Sequence, residues 1–166
     1  MRRLAFTSIR KMSTEPARTT ETITSSLSSI LSTINSNSTS PVRLVAVSKY
    51  IPPEAIKIAY SAGQRHFGEN YIQELINKAS ELPDDIKWHF IGALQSNKCK
   101  LLVEQVKNLW CVETVDTEKK ARLLEAGAAA VDRKELLKVF VQVNTSGEER
   151  IILKDGGMLI VRESGN

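Results

Sequence analysis

Lys49 has the clearest chemical potential in this chain. It follows the apolar run Val42-Arg43-Leu44-Val45-Ala46-Val47, with only Ser48 between. A lysine at a strand exit stands where desolvation lowers an amine's pKa, and a neutral amine can condense with an aldehyde as a Schiff base. The plainer reading, a surface lysine after a strand, stays open at this point. Asn70 follows Gly68-Glu69 at the start of a helical pattern, where it serves as an N-cap, a ligand contact or both. His89 lies in Trp88-His89-Phe90-Ile91, and strand alternation sets His89 and Ile91 on one face, Trp88 and Phe90 on the other. A histidine facing the interior of a barrel would lie beneath its mouth, whereas one facing helices would be a hydrogen-bonded core residue. His66 is expected to be exposed and without a partner. The two histidines and the two cysteines, Cys99 and Cys111, show no metal-ligand or redox spacing, so no metal site is expected. Neither a dinucleotide-binding glycine pattern nor a phosphate-binding loop with Gly-Lys-Ser/Thr occurs.

These residues need a scaffold, and the pattern from Pro41 onward supplies one: a short apolar run, a polar turn, then a helical segment, repeated. Strands are expected over residues 42–47, 65–67, 88–91, 109–113 and 137–143. Pro52-Pro53 favours a first helical turn for a helix over 54–62 that Gly63 stops. A second helix is expected over 71–81, ended by Leu82-Pro83. Ser96 is the N-cap candidate for a third, reaching about Asn108, and Asp116 or Thr117 for a fourth that stops at Gly127. Strands alternating with helices mean a parallel sheet, either doubly wound or part of a (β/α)8 barrel. In both, functional groups collect at the carboxyl ends of strands. Those ends hold Ser48-Lys49, Gly68-Glu69-Asn70, Gly92-Ala93-Leu94-Gln95, Thr114-Val115-Asp116 and Asn144-Thr145-Ser146.

Composition narrows the classes. With 166 residues, 42% of them hydrophobic, the chain can bury one core, and no apolar run is long enough for a membrane span. The net charge of +4 sits mostly in residues 1–40, and no basic stripe interleaved with aromatics marks a nucleic-acid surface. That first stretch holds 18 Ser or Thr and reads as an extension with a short amphipathic helix over 20–34. Residues 1–18 are Arg-bearing and acid-poor, as transit peptides are, while Met12 offers an alternative start. Cysteine usage favours a reducing compartment, so the expected location is cytoplasmic, with a mitochondrial one open.

Three ordered segments carry a family resemblance: Leu44-Val45-Ala46-Val47-Ser48-Lys49, Phe67-Gly68-Glu69-Asn70-Tyr71-Ile72-Gln73-Glu74, and Trp88-His89-Phe90-Ile91-Gly92-Ala93-Leu94-Gln95-Ser96-Asn97-Lys98. With Val115-Asp116 and Val141-Gln142-Val143-Asn144-Thr145-Ser146-Gly147-Glu148, the chain closely resembles the pyridoxal phosphate homeostasis protein family. The resemblance implies a (β/α) TIM-barrel of the alanine racemase N-terminal type. It also implies pyridoxal 5′-phosphate held as a Schiff base on Lys49, with Asn70 and His89 as further cofactor-pocket residues. It implies intracellular cofactor homeostasis without robust turnover. A racemase-like enzyme is the alternative, needing an acid/base opposite Lys49 that neither Tyr50 nor Tyr71 can be assigned from spacing.

The segment from Arg150 departs from that family's pattern. Residues 41–149 are read as a partial barrel of about five of the eight βα units of a closed one, and residues 150–166 as a divergent tail. Cofactor binding is therefore expected to be weakened, and an inactive form that binds little or nothing is a further alternative. An unclosed sheet has bare edges, so self-association is expected unless the tail, read as a hairpin around Gly156-Gly157, covers one.

Overall fold

The computed structural model describes residues 19–143 and the backbone of residues 159–162. Residues 1–18, Asn144-Thr145-Ser146 and Gly156-Gly157, where a turn is expected, lie outside the described residues. Helix α1 (Thr20–Asn37) begins at Thr19, whose side chain accepts a hydrogen bond from the Thr22 N–H, and it packs against the body through Leu27. Four βα units and a fifth parallel strand follow: β1 (Val42–Val47), α2 (Pro53–Ser61), β2 (His66–Glu69), α3 (Ile72–Glu81), β3 (Lys87–Phe90), α4 (Cys99–Gln105), β4 (Leu109–Val115), α5 (Glu118–Ala130) and β5 (Lys138–Val141). A last strand, β6, runs over Leu159–Arg162.

Sheet order decides between the two parallel architectures. The strands lie β5-β4-β3-β2-β1-β6, so β1 to β5 are neighbours in chain order, each pair parallel, with no reversal of direction across the sheet. A doubly wound sheet would show a switch point in that order. Sequential winding puts every crossover helix on the same face and curls the sheet as an incomplete barrel. The core lies between that face and the helices. Ile56, Leu75, Leu102 and Leu124 from α2 to α5 close on Phe67, Trp88, Phe90, Leu109 and Val112 from the strands. Each such side chain, once buried, contributes about 1.5–3 kcal/mol.

The two edges differ. On one, β6 pairs antiparallel with β1, with Val42 opposite Arg162 and Val45 opposite Leu159. The expected hairpin partner at Ile151-Ile152-Leu153 lies outside the described residues. On the other edge no described strand pairs with the outer side of β5, and among the described residues Val139, Phe140 and Val141 are 41%, 38% and 73% exposed.

Several local expectations change. Ser96 does not cap α4: it opens a 3-10 turn over Ser96–Lys98, and α4 starts at Cys99 and ends at Gln105, because Val106 turns the chain into β4. Gly127 does not stop α5, which runs on to Ala130. A Cβ at Gly127 would stand 3.2 Å from Lys100 Cα, so this glycine lets α5 approach α4 closely. Gly63, by contrast, follows α2 at φ +100°, the left-handed conformation of a helix stop.

Candidate functional site

Register assigns the inner face, the one turned away from the helices. Val47 pairs with Gly68, Gly68 with His89, His89 with Cys111 and Cys111 with Lys138, one residue from each strand at one level. Two residues beyond Val47 and Gly68, on the same face by alternation, come Lys49 and Asn70 at the carboxyl mouth. Lys49 is half-buried and has no hydrogen-bond or ion-pair partner among the described residues.

Asn70 does not cap α3. The cap position falls on Tyr71, which makes no side-chain cap bond, and Asn70 Oδ1 is buried without a hydrogen-bond partner among the described residues. An orphaned buried amide oxygen at the mouth is a group that a bound molecule or water must satisfy. Gly92 approaches the same residue so closely that a Cβ there would lie 2.1 Å from the Asn70 carbonyl oxygen. Tyr50 and Tyr71 are exposed, and their hydroxyls hydrogen-bond to one another. The Tyr71 hydroxyl holds the Tyr50 phenol above its ordinary pKa.

Beneath the mouth, His89 lies on the inner face, fully buried and outside the helix-side core, which decides between the two faces that alternation had left open. Its two ring nitrogens are both engaged: Nε2 with His66 Nδ1 at 2.9 Å and Nδ1 with Glu113 Oε1 at 2.6 Å. His66 is therefore neither exposed nor unpartnered. Burial, then His89, then the cations Arg43, Lys87 and Lys138 push its pKa down to about 3. Trp110 stacks edge-on to His66 with ring centroids 5.0 Å apart, and Arg43 and Lys138 lie over its ring at 4.3 and 3.9 Å.

The sequence reading missed Cys111 and Glu113 altogether. The fold brings them to His89 so that one ligand-capable atom from each lies within 4.8 Å of the others. Cys111 carries a thiol that burial and the neighbouring Glu113 push up to about 12, so it is protonated at neutral pH. With both His89 nitrogens bonded, the cluster is arranged to hold protons along a chain from His66 to Glu113. Glu113 Oε2 is buried without a hydrogen-bond partner among the described residues. A signal for these residues was present in the alternation of Leu109-Trp110-Cys111-Val112-Glu113, had the register shift at Trp110 been known.

The inner face thus offers a half-buried amine beside an unsatisfied amide oxygen, above a closed polar chain. Known proteins are similar to this chain in sequence. The chain is 58% identical over 108 residues to the pyridoxal phosphate homeostasis protein of Schizosaccharomyces pombe, covering 65% of this chain and 44% of that one. It is 49% identical over 122 residues to the protein of the same name from Caenorhabditis elegans, covering 69% and 48%. The chain spans about half the length of the curated relatives it matches. Among solved structures it resembles PipY of Synechococcus elongatus with pyridoxal phosphate bound, at TM-score 0.56 and 41% identity, covering 67% of this chain and 52% of that one. Residues 25–151 match the family described as alanine racemase, N-terminal domain, and the chain belongs to that family.

Proposed function

We propose that this chain binds pyridoxal 5′-phosphate covalently through Lys49 and serves intracellular handling of that cofactor, without substrate turnover of its own. The observation that carries the reading is the mouth of the inner face. There, Lys49 has no polar partner among the described residues and stands at the register level of Asn70, whose Oδ1 is buried and unsatisfied. Lys49 would hold the cofactor through its amine, and the cofactor's aldehyde, when bound, would supply the carbon for a carbon–nitrogen double bond with loss of one water. Asn70 offers its side-chain amide to a polar group of the bound molecule. His89, closed off between His66 and Glu113, contributes from below by holding the polar chain under the site. The names of the relatives and the cofactor in the PipY structure support this reading. Buried, free Cys99 and Cys111 accord with a reducing, cytoplasmic setting.

The test is a titration of the chain with pyridoxal phosphate followed by absorption, then borohydride reduction of the double bond and peptide mapping. An adduct on Lys49 that disappears in Lys49→Ala is the expected result. Folded protein that gives no specific adduct, or one mapping elsewhere, overturns the reading. Deuterium exchange at the α-carbon of alanine faster than with free cofactor would refute the absence of turnover and favour a racemase-like enzyme.

A further inference from the structure

Lys78 lies on α3, on the helix side of the sheet and away from the face that carries Lys49, and is only 5% exposed. A buried ammonium must have its three donors met. Here Nζ donates to Glu69 Oε1 at 2.7 Å, to Glu74 Oε1 at 2.6 Å and to the Ser48 carbonyl oxygen at 2.7 Å. Every one of these acceptors leads to the turn after β1. The Ser48 hydroxyl donates to Glu69 Oε1 at 2.7 Å, and the Tyr50 N–H donates to Glu74 Oε1 at 2.7 Å. Ser48 and Tyr50, the two residues that flank Lys49, are therefore tied to one ammonium, the first directly and the second through Glu74. Tyr50 is held at φ 60°, a backbone conformation that a tyrosine keeps only under such constraint.

We propose that Lys78, acting through Glu69 and Glu74, is the positioning residue for Lys49: it fixes the Ser48–Tyr50 backbone from behind so that the amine stands at the mouth. The inference rests on Lys49 being the carbonyl-binding amine and adds the device that presents it. A buried ion pair is costly to desolvate, and apolar side chains of equal volume often stabilise a core as well or better. Stability of α3 alone therefore does not account for an ammonium here, whereas its three acceptors all converge on one turn.

Two variants test this. In Lys78→Met with Glu69→Gln the network loses its ammonium without leaving the Glu69 carboxylate buried and unpaired. In Glu74→Ala the link to Tyr50 is cut together with Glu74's own bond to Lys78, which keeps Glu69 and the Ser48 carbonyl. Two readouts need no cofactor. The first is amide exchange at Tyr50 relative to Val112 in the core, which also reports whether a variant is folded. The second is reductive alkylation of Lys49 by formaldehyde and cyanoborohydride, relative to the exposed Lys134 and mapped by mass. Loss of a hydrogen bond to a charged group predicts at least about tenfold faster exchange at Tyr50 with Val112 unchanged. Lys49 alkylation is expected to rise toward that of Lys134, and adduct formation with pyridoxal phosphate to weaken about tenfold. If either variant is folded and keeps the wild-type Tyr50 exchange and Lys49 labelling, the inference is overturned. If the wild-type chain forms no cofactor adduct at Lys49, the proposed function fails while exchange and labelling still decide the positioning. Should the double variant not fold, Glu74→Ala carries the decision.

Discussion

Replacing Gly92 by alanine probes the mouth of the inner face directly. A Cβ at this position would stand 2.1 Å from the Asn70 carbonyl oxygen and 2.7 Å from the Asn70 carbonyl carbon and Cα. Ordinary carbon-to-oxygen contacts lie near 3.3 Å, so one of the two backbones must move by about 1.2 Å. Neither is loose: the Ile91 N–H is bonded to the Glu69 carbonyl at 2.9 Å, and the Thr114 hydroxyl donates to the Gly92 carbonyl at 2.6 Å. Overpacking costs about 1–3 kcal/mol, and a clash between two tethered backbones belongs at the upper end, about 3 kcal/mol. For a domain of this size that lowers Tm by roughly 10 °C. Gly63→Ala is the control, because its Cβ would meet no atom within 4 Å and only its φ of +100° is lost. That conformational strain costs about 1–2 kcal/mol. The assay is urea unfolding of both variants, with the cofactor titration alongside. Displacement of Asn70 by about 1 Å is expected to weaken adduct formation at least tenfold in Gly92→Ala alone. Equal stability of the two variants, with cofactor binding unchanged in Gly92→Ala, would refute the close-approach argument.

Three further outcomes are expected. Lys49→Ala removes a half-buried side chain with no polar partner among the described residues, so unfolding free energy should change by less than about 0.5 kcal/mol while the cofactor adduct is lost; a variant that fails to fold contradicts this. His66 stays neutral in the fold down to about pH 3, while the unfolded imidazole protonates near pH 6.5. The unfolded state therefore binds more protons between those values, and stability falls as pH drops through the window by up to about 1.4 kcal/mol per unit; urea unfolding at pH 7 and pH 4.5 should show this in the wild type and less in His66→Gln. The β5 edge, unpaired among the described residues, should drive association, so light scattering at about 100 µM is expected to show species larger than a monomer, reduced by Phe140→Lys with Val141→Glu. A wild-type monomer at that concentration would count against it.

Much of the scaffold was legible because a strand buried on both faces writes itself as a continuous apolar run. Strand β1 matches its expected span of 42–47, and the alternation in Trp88-His89-Phe90-Ile91 separated His89 from Trp88 and Phe90, though which of the two faces met the helices came only from the fold. Position after one strand left Lys49 readable as an ordinary surface lysine, and it was the family-like segment Leu44-Val45-Ala46-Val47-Ser48-Lys49 that singled it out. Asn70 was harder: the local pattern offered a cap, and only the observed helix start at Ile72 shows that its amide is not spent there. Gly127 misled because a glycine that ends a helix and one that lets two helices touch look alike in one dimension.

The chain's own order of residues determined the alternation of strand and helix, the apolar faces, and the lysine at the end of the first strand. Tertiary structure decided the sequential winding, the capping of β1 by β6, and the partners of every buried polar group at the site. His66 meets His89, His89 meets Glu113, and Lys78 reaches Ser48 across separations of 23, 24 and 30 residues. Such meetings depend on strand register and on where a helix docks, and a one-residue slip would send each side chain to the opposite face. Local sequence encodes which residues can hydrogen-bond, whereas the packing of the whole sheet selects which of them do.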